Sequence, residues 1–103
     1  MEYILKFSAR AENDLDSIVA YIQADSPRHA TSFRRKLLER ITVLETFPLA
    51  WPLAPESQHV GQPIRHMVFG QYRILFSIHD ADITVLTIRH AARQFMSKKE
   101  LEE

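Results

Sequence analysis

The first half of the chain carries apolar residues at the spacing of two amphipathic helices. Between residues 9 and 24 the apolar side chains recur at intervals of three, one and three, and between residues 27 and 46 at three, four, four and three. Both series fit one face of an α-helix, so we expect two helices. The first series is Leu15, Ile18, Val19 and Ile22, and the second is Ala30, Phe33, Leu37, Ile41 and Leu44.

Capping residues and prolines mark where these helices begin and end. Ser8 and Ser26 supply side-chain oxygens at the two starts, and Pro27 fits a first helical position because its missing N–H would have no partner there. Pro48 pushes Phe47 out of the helical region and ends the second helix. Because the connection at residues 24–26 is short, the two helices should form an antiparallel hairpin.

Four apolar runs surround the helices and predict strands: Tyr3–Phe7, Ile64–Phe69, Tyr72–His79 and Ile83–His90. Two or three residues separate the last three runs, which is hairpin length. The chain is therefore predicted to be one α+β domain over residues 1–103, with an N-terminal strand, a helical hairpin and a three-stranded antiparallel meander in one mainly antiparallel sheet. We expect the helices to cover one face and leave the other for solvent or a partner. Residues 94–103 would form a tail that can be flexible.

Residues 48–63 form the longest stretch without helix or strand periodicity. This stretch contains four of the five prolines, together with Trp51. Proline restricts the conformations of a loop and lowers the entropy lost when the loop becomes ordered. A loop this long in a small domain is usually functional or packed as a cover.

Arginines within the predicted meander are its unusual feature. Arg65, Arg73 and Arg89 lie in strands, where a guanidinium needs either water or an anionic partner. Alternation places Arg73 on the face opposite the more apolar Tyr72, Ile74, Phe76 and Ile78. A three-residue turn would set Arg73 opposite Arg89, and a two-residue turn would not. We expect these arginines to face outward, with internal pairing to helix carboxylates as the alternative.

The overall charge argues against a polyanion as partner. Lysine plus arginine equals aspartate plus glutamate, at 13 each, so no direct nucleic-acid binding is expected from the chain alone. Residues 61–99 nevertheless hold six basic side chains and two acidic ones, which makes a local basic patch. Without cysteine, signal peptide or a run of about 20 apolar residues, the chain is expected to be cytoplasmic and to have no membrane contact.

Catalytic and cofactor motifs are few. His90 and Arg93 follow the last strand, and a histidine there can serve as an acid or base or, more commonly, as a hydrogen-bonding cap. The five histidines show no metal-ligand spacing, and two glycines cannot form a phosphate-binding loop, so no metal or cofactor is expected. Asp14 and Asp16 are two apart on a helix and are interpreted as part of a solvated face.

Five segments in order resemble the ParE/RelE superfamily of bacterial toxin–antitoxin toxins, over nearly the whole chain. These segments are Phe7-Ser8-x-x-Ala11-x-x-Asp14-Leu15-x-x-Ile18-x-x-Tyr21-Ile22, Pro27-x-x-Ala30-x-x-Phe33, Ile41-x-x-Leu44-x-x-Phe47-Pro48, Tyr72-Arg73-Ile74-Leu75-Phe76 and Val85-Leu86-x-Ile88-x-His90-x-x-Arg93. The resemblance implies a toxin that a cognate antitoxin neutralises in a hetero-oligomer.

Two targets are implied by the resemblance. RelE-like members are ribosome-dependent endoribonucleases, and in that branch Arg73, His90 and Arg93 would be the catalytic residues. ParE-like members inhibit DNA gyrase. The chain has no lysine between residues 37 and 97 and no tyrosine after Tyr72, and both departures from the nuclease site favour the ParE-like branch. Phenylalanine at position 95, the nearest aromatic to the missing tyrosine, cannot transfer a proton.

We therefore expect a gyrase inhibitor without catalytic residues, bound by a ParD-like antitoxin. Acidic side chains of the antitoxin would meet the basic residues of the meander. Contacts to target or antitoxin are assigned to Arg65, Arg73, Arg89, His90, Arg93 and Phe95. The alternatives are a RelE-like ribonuclease and a non-toxic relative that holds its antitoxin as a co-repressor.

Overall fold

The computed structural model describes residues 3–92, in which four strands form one sheet in the order β1-β4-β3-β2. The strands are β1 (Ile4–Phe7), β2 (Arg65–Phe69), β3 (Tyr72–His79) and β4 (Asp82–His90), and the helices are α1 (Ala9–Asp25), α2 (Pro27–Thr42) and α3 (Glu56–Val60). β1 runs parallel to β4, and the other neighbours are antiparallel. The predicted α+β fold, a mainly antiparallel sheet with an N-terminal strand and a helical hairpin, is confirmed.

Serine caps start both long helices, as the sequence predicts. The Ser8 side chain accepts a hydrogen bond from the Ala11 N–H at 3.0 Å, and the Ser26 side chain accepts one from the His29 N–H at 3.3 Å. α2 ends at Thr42 and continues as a single 3₁₀ turn over Val43–Glu45, slightly earlier than the predicted end near residue 46. No helix within residues 3–92 has the length and apolar character that crossing a bilayer requires.

The apolar faces of α1 and α2 pack on one face of the sheet and form the main core. Its fully buried members come from both helices, the turn after α2 and three strands, and they are Ala11, Leu15, Leu37, Ile41, Leu44, Met67, Ile74, Phe76, Ile83, Val85 and Ile88. The alternation predicted for β3 is confirmed, because Tyr72, Ile74, Phe76 and Ile78 all belong to this cluster.

The second face of the sheet, opposite α1 and α2, is covered by the chain itself. Residues 51–64, here called the cover segment, include the short helix α3, and Ala54 and Ile64 pack with Leu75 of β3. The Ser57 hydroxyl donates to the Ile64 carbonyl oxygen and accepts from the Ile64 N–H, both at 2.7 Å. The expectation of an open second face is therefore wrong where this segment lies, because the proline-rich stretch carries its own apolar contacts.

A β-bulge sets the register of the β3–β4 hairpin. The turn has two residues, Asp80 and Ala81, and pairs His79 with Asp82. The register then shifts by one between Leu75 and Phe76, where β4 contains one extra residue, and the shift restores the pairing of Arg73 with Arg89. From the sequence, a three-residue turn was required to place Arg73 opposite Arg89. The two residues do pair, but the bulge produces this register and the turn does not.

Asp14 of α1 joins the helix to the sheet edge and is not part of a solvated face. β1 pairs only as far as Val85, so the outer edge of β4 beyond that point lacks a strand neighbour. There the Asp14 carboxylate accepts a short hydrogen bond from the Thr87 hydroxyl and another from the Ile88 N–H at 3.1 Å. The interpretation of Asp14 as solvated is wrong, whereas Asp16 is exposed.

We predict that Asp14→Ala lowers the free energy of unfolding by about 1–3 kcal/mol, because the substitution leaves the Thr87 hydroxyl and the Ile88 N–H without their acceptor. Urea denaturation measures the change. Asp16→Ala, two residues away on the exposed side of the same helix, is the matched control. Equal losses from the two variants would show that the Asp14 bonds contribute nothing specific.

Candidate functional site

A buried ion pair lies at the centre of the second face. Arg73 of β3 is 6% exposed and Glu56 at the start of α3 is 0% exposed. Their contact is bidentate: Nη1 donates to Oε2 at 2.9 Å and Nη2 donates to Oε1 at 2.7 Å. A planar guanidinium and a carboxylate match in this geometry, which gives the strongest form of such a pair. The pair therefore fixes α3 against the sheet.

His66 of β2 completes this cluster. The Arg73 Nε–H donates to His66 Nδ1 at 3.2 Å, so that ring nitrogen acts as an acceptor and is not protonated. Burial lowers the pKa of His66, the positive charge of Arg73 lowers it further, and the negative charge of Glu56 opposes both effects. The imidazole is thereby kept neutral beside two charged groups.

The other strand arginines are also turned toward the protein. Arg89 lies directly opposite Arg73 and is 6% exposed. The Arg65 Nη1–H donates to the Trp51 carbonyl oxygen at 2.6 Å and so holds the start of the cover segment. The expectation that Arg73 and Arg89 face outward is wrong, since both are 6% exposed. Glu56 of the cover segment encloses Arg73, whereas Arg89 contributes to a groove between α1 and β4.

Glu56, the buried partner of Arg73, is the site residue that sequence reasoning missed. The sequence offered carboxylates of the helical hairpin as the alternative partners of the strand arginines. The partner of Arg73 comes instead from residues 48–63. A signal was present: Glu56 is the only acidic residue between Glu45 and Asp80, in a region that also contains Arg65 and Arg73. A single carboxylate among arginines in a proline-rich cover is a reasonable candidate for a buried pair.

His90 forms a hydrogen-bonded cap at the end of β4. Its Nδ1 accepts from the Ala92 N–H at 3.1 Å, and its Nε2 lies 3.2 Å from the Gln71 side-chain oxygen. The ring also packs edge-on against Tyr72, with centroids 5.5 Å apart. Both ring nitrogens therefore have partners, and the arrangement stabilises the strand exit more readily than it transfers protons.

A shallow groove of about 250 Å³ lies beside His90, between α1 and the outer edge of β4. Its lining includes Asp14, Ile18, Tyr21, Tyr72, Ile88 and His90. Tyr21 is 80% exposed, which is unusual for a large ring and typical of a contact surface. The groove is open along a stretch of β4 that has no strand neighbour.

The remaining predicted site residues, Arg93 and Phe95, lie outside the described residues, as does the tail at 94–103. Within residues 3–92, no three His, Cys, Asp or Glu side chains are grouped as metal ligands. The described part of the site thus consists of an internally paired arginine cluster under a cover, next to an open groove at the end of β4.

Comparison with known proteins places this arrangement in a family. The sequence model of the ParE toxin of the type II toxin–antitoxin system parDE matches residues 5–95. Among curated protein sequences, none matches the chain significantly.

Two solved structures illustrate the likeness in fold. A chain of the chromosomal ParDE TA system from P. aeruginosa superposes with a TM-score of 0.69 at 19% identity, covering 86% of this chain and 96% of that one. A chain of the toxin–antitoxin complex RelBE2 from Mycobacterium tuberculosis superposes with a TM-score of 0.60 at 23% identity, covering 87% and 99%. At these identities the likeness shows a shared fold.

We predict that Glu56→Gln lowers the free energy of unfolding by about 3–5 kcal/mol, because Arg73 would keep its charge in a buried site without a carboxylate. Chemical denaturation at neutral pH measures the loss. Glu39→Gln is the control, since its pair with Arg35 is exposed and 3.6 Å long, and the expected change there is about 0–0.5 kcal/mol.

The double variant Glu56→Leu/Arg73→Met distinguishes the cost of an uncompensated buried charge from the cost of altered side-chain packing. Removing both charges leaves no buried charge without a counterion, at the smaller cost of the donor that Arg73 supplies to the neutral His66, so the double variant should be more stable than Glu56→Gln alone. A double variant less stable than the single one would contradict the assignment of the loss to an unpaired Arg73.

We predict that His66 makes the protein less stable in mild acid. Because its pKa is lowered in the folded state, the unfolded chain binds a proton at this position more readily once the pH falls below about 6.5, the ordinary histidine value. The contribution of neutral His66 is therefore present above pH 6.5 and is lost as the pH falls through the lowered folded-state value. His66→Asn keeps an acceptor for Arg73 and removes the titration. The denaturation midpoint should fall between pH 7.5 and pH 5.5 by less in His66→Asn than in the wild type. An equal fall in both proteins would refute the prediction.

Proposed function

The chain belongs to the ParE toxin family of type II toxin–antitoxin systems, and we propose that it arrests growth by inhibiting DNA gyrase until a ParD-like antitoxin neutralises it. The observation that carries this proposal is the family match over residues 5–95 combined with the internal pairing of Arg73. The pair holds Arg73 inside the protein, which favours an inhibitor over a nuclease that would need this arginine at the RNA.

The state of the candidate catalytic residues argues against RNA cleavage. Arg73, which a RelE-like nuclease would direct at RNA, uses both terminal nitrogens on Glu56. His90, the candidate acid or base, has both ring nitrogens occupied. Phosphodiester cleavage needs a free proton-transfer group and cations that reach the phosphate. The RelE-like activity remains the alternative function, and the likeness in fold to a chain of the RelBE2 complex is the observation that favours it.

We place the target contact where β4 leaves the sheet. His90 is partly exposed, and Arg93, Phe95, Met96, Lys98 and Lys99 follow it in the sequence. Aromatic and methionine side chains among cations are common at interface centres and rims. Arg73 and Arg89 are buried and the partly buried Arg65 is bonded to the Trp51 carbonyl oxygen, so we assign these three arginines the supporting role of holding the cover segment and the sheet.

The antitoxin fits the groove between α1 and β4. An apolar floor with Tyr21 and His90 at its sides accommodates an amphipathic segment, beside the edge of β4 on which Asp14 accepts the Ile88 N–H. The comparisons include toxin–antitoxin complexes, which supports an antitoxin as partner and a hetero-oligomer as the resting state. Acidic side chains of the antitoxin would then meet the basic residues after His90.

We predict that the purified chain inhibits gyrase-catalysed supercoiling and that Phe95→Ala weakens inhibition about tenfold or more, as expected when an interface anchor is truncated. Supercoiling and cleavage-complex assays measure both effects. Val68→Ala is the matched control, because Val68 is an exposed apolar residue on β2, at the opposite edge of the sheet from β1.

Parallel assays distinguish the alternatives. Cleavage of ribosome-bound message without any effect on gyrase at stoichiometric excess would reverse the assignment to a RelE-like nuclease. Induced expression without the antitoxin should stop growth. Unimpaired growth, with the folded protein present, would favour the antitoxin-binding co-repressor instead.

A further inference from the structure

The neutral total charge conceals two helices of opposite sign. α1 carries one basic and four acidic residues, whereas α2 carries five basic residues and one acidic residue. All five cations of α2, which are Arg28, Arg34, Arg35, Lys36 and Arg40, are exposed. The charge balance of the whole chain predicts no attraction for polyanions, but a partner approaching α2 would meet a strongly positive surface.

Four of these cations form a continuous basic face. Arg28 and Arg35 are seven residues apart and therefore lie on the same side of the helix, and Lys36 and Arg40 widen the face to an arc of about 140°. At 1.5 Å per residue the face is about 18 Å long. Arg34 points to the other flank, where it shares a groove with Glu12 and Asp16 of α1.

The cations of this face form only weak ion pairs within the described part of the protein. Among residues 3–92, Arg28 and Lys36 have no carboxylate within 4.0 Å, and Arg35 forms an exposed 3.6 Å pair with Glu39 that a stronger anion can replace. Arg40 stacks over Trp51 with its guanidinium carbon 5.6 Å from the ring centroid, which anchors one end of the face to the cover segment.

The first turn of α2 has basic residues where helices usually have acidic ones, which also favours a nearby anion. Arg28 and His29 occupy this turn and no acidic residue does, although the positive end of a helix favours acids. Cations there are unfavourable beside the positive end of the helix unless an anion lies nearby. Ser26 already accepts the His29 N–H and Pro27 has none, so this turn adds a preference for negative charge at one end of the basic face and is not a separate anion site.

We propose that the basic face of α2 binds the phosphate backbone of double-stranded nucleic acid. The exposed residues of α2 along this face are charged or carry hydroxyl groups, apart from His29. At the end of the face, the C-cap residue Val43 is 44% exposed, and a single apolar side chain of this size is too small to anchor a protein partner. Among the described residues of the face, only the small ring of His29 could stack on a single-stranded base. A row of cations with one apolar residue and one small ring fits duplex phosphates, contacted without regard to sequence. The proposal is independent of gyrase as the target.

Fluorescence anisotropy of the full chain with a labelled 20-base-pair DNA duplex tests the proposal. Three or four phosphate contacts give a slope of log affinity against log salt of about −3, so that affinity should fall about 60-fold between 50 and 200 mM NaCl. In Arg28→Gln/Lys36→Gln the affinity at 50 mM should fall at least about tenfold and the slope should become less steep by about 2.

The matched control is Lys6→Gln/Arg34→Gln, which removes the same charge from positions outside the face. Lys6 is paired with Asp82 at 3.1 Å, and Arg34 lies beside α1 acids. Glutamine has nearly the helix propensity of arginine and lysine, so both variants should fold, which circular dichroism verifies. The control should bind the duplex as the wild type does.

Several outcomes would overturn the proposal. These are no duplex binding by the wild type at 50 mM NaCl, equal losses in the two variants, or tighter binding to single-stranded dT20 than to the duplex. Binding to polyglutamate but not to DNA, if lost in Arg28→Gln/Lys36→Gln, would assign the face to an acidic protein instead.

Discussion

The pairing of Arg73 with Glu56 is the interaction on which the second half of the structure depends. It joins the middle of the sheet to a short helix that could not hold its position alone, because five helical residues are too few to be stable without tertiary contacts. A buried ion pair contributes little net stability compared with an apolar pair of the same shape, but it accepts only one geometry. In this protein it determines where the cover segment lies, and so which sheet surface remains accessible.

The same pair bears on the kind of chemistry available to the protein. An arginine that neutralises RNA phosphate must be able to reach it, and Arg73 is enclosed and bonded through all three of its nitrogens to Glu56 and His66. Proteins that share a fold can differ in activity when a side chain is buried and paired in one protein but exposed in its relative. Because Arg73 and Arg89 are buried, the surfaces open to a partner on this side are the end of β4 and the groove beside α1.

Net charge does not describe the surface that a partner contacts, because it averages over surfaces that a partner meets separately. The acids of α1 and the cations of α2 cancel in the sum, yet they belong to two helices with outward faces of their own. Exposed charges interact over about 8–10 Å in physiological salt, which is less than the length of either helix. Local composition of each element is therefore the better predictor of where an anion binds.

The sequence by itself determined the element order, both helix starts and the strand face that meets the core. These features have local causes: the Ser8 and Ser26 caps, Pro27, and the alternation from Tyr72 to Ile78 all act within a few residues. Only the tertiary structure decided the partners of Arg73 and Asp14, the cover over the second face and the bulge that sets Arg73 opposite Arg89. Most of those contacts join distant positions: Arg73 is 16 residues from Arg89 and 17 from Glu56, and Asp14 is 73 from Thr87. No periodicity signals such a pair, and each depends on how the whole chain packs.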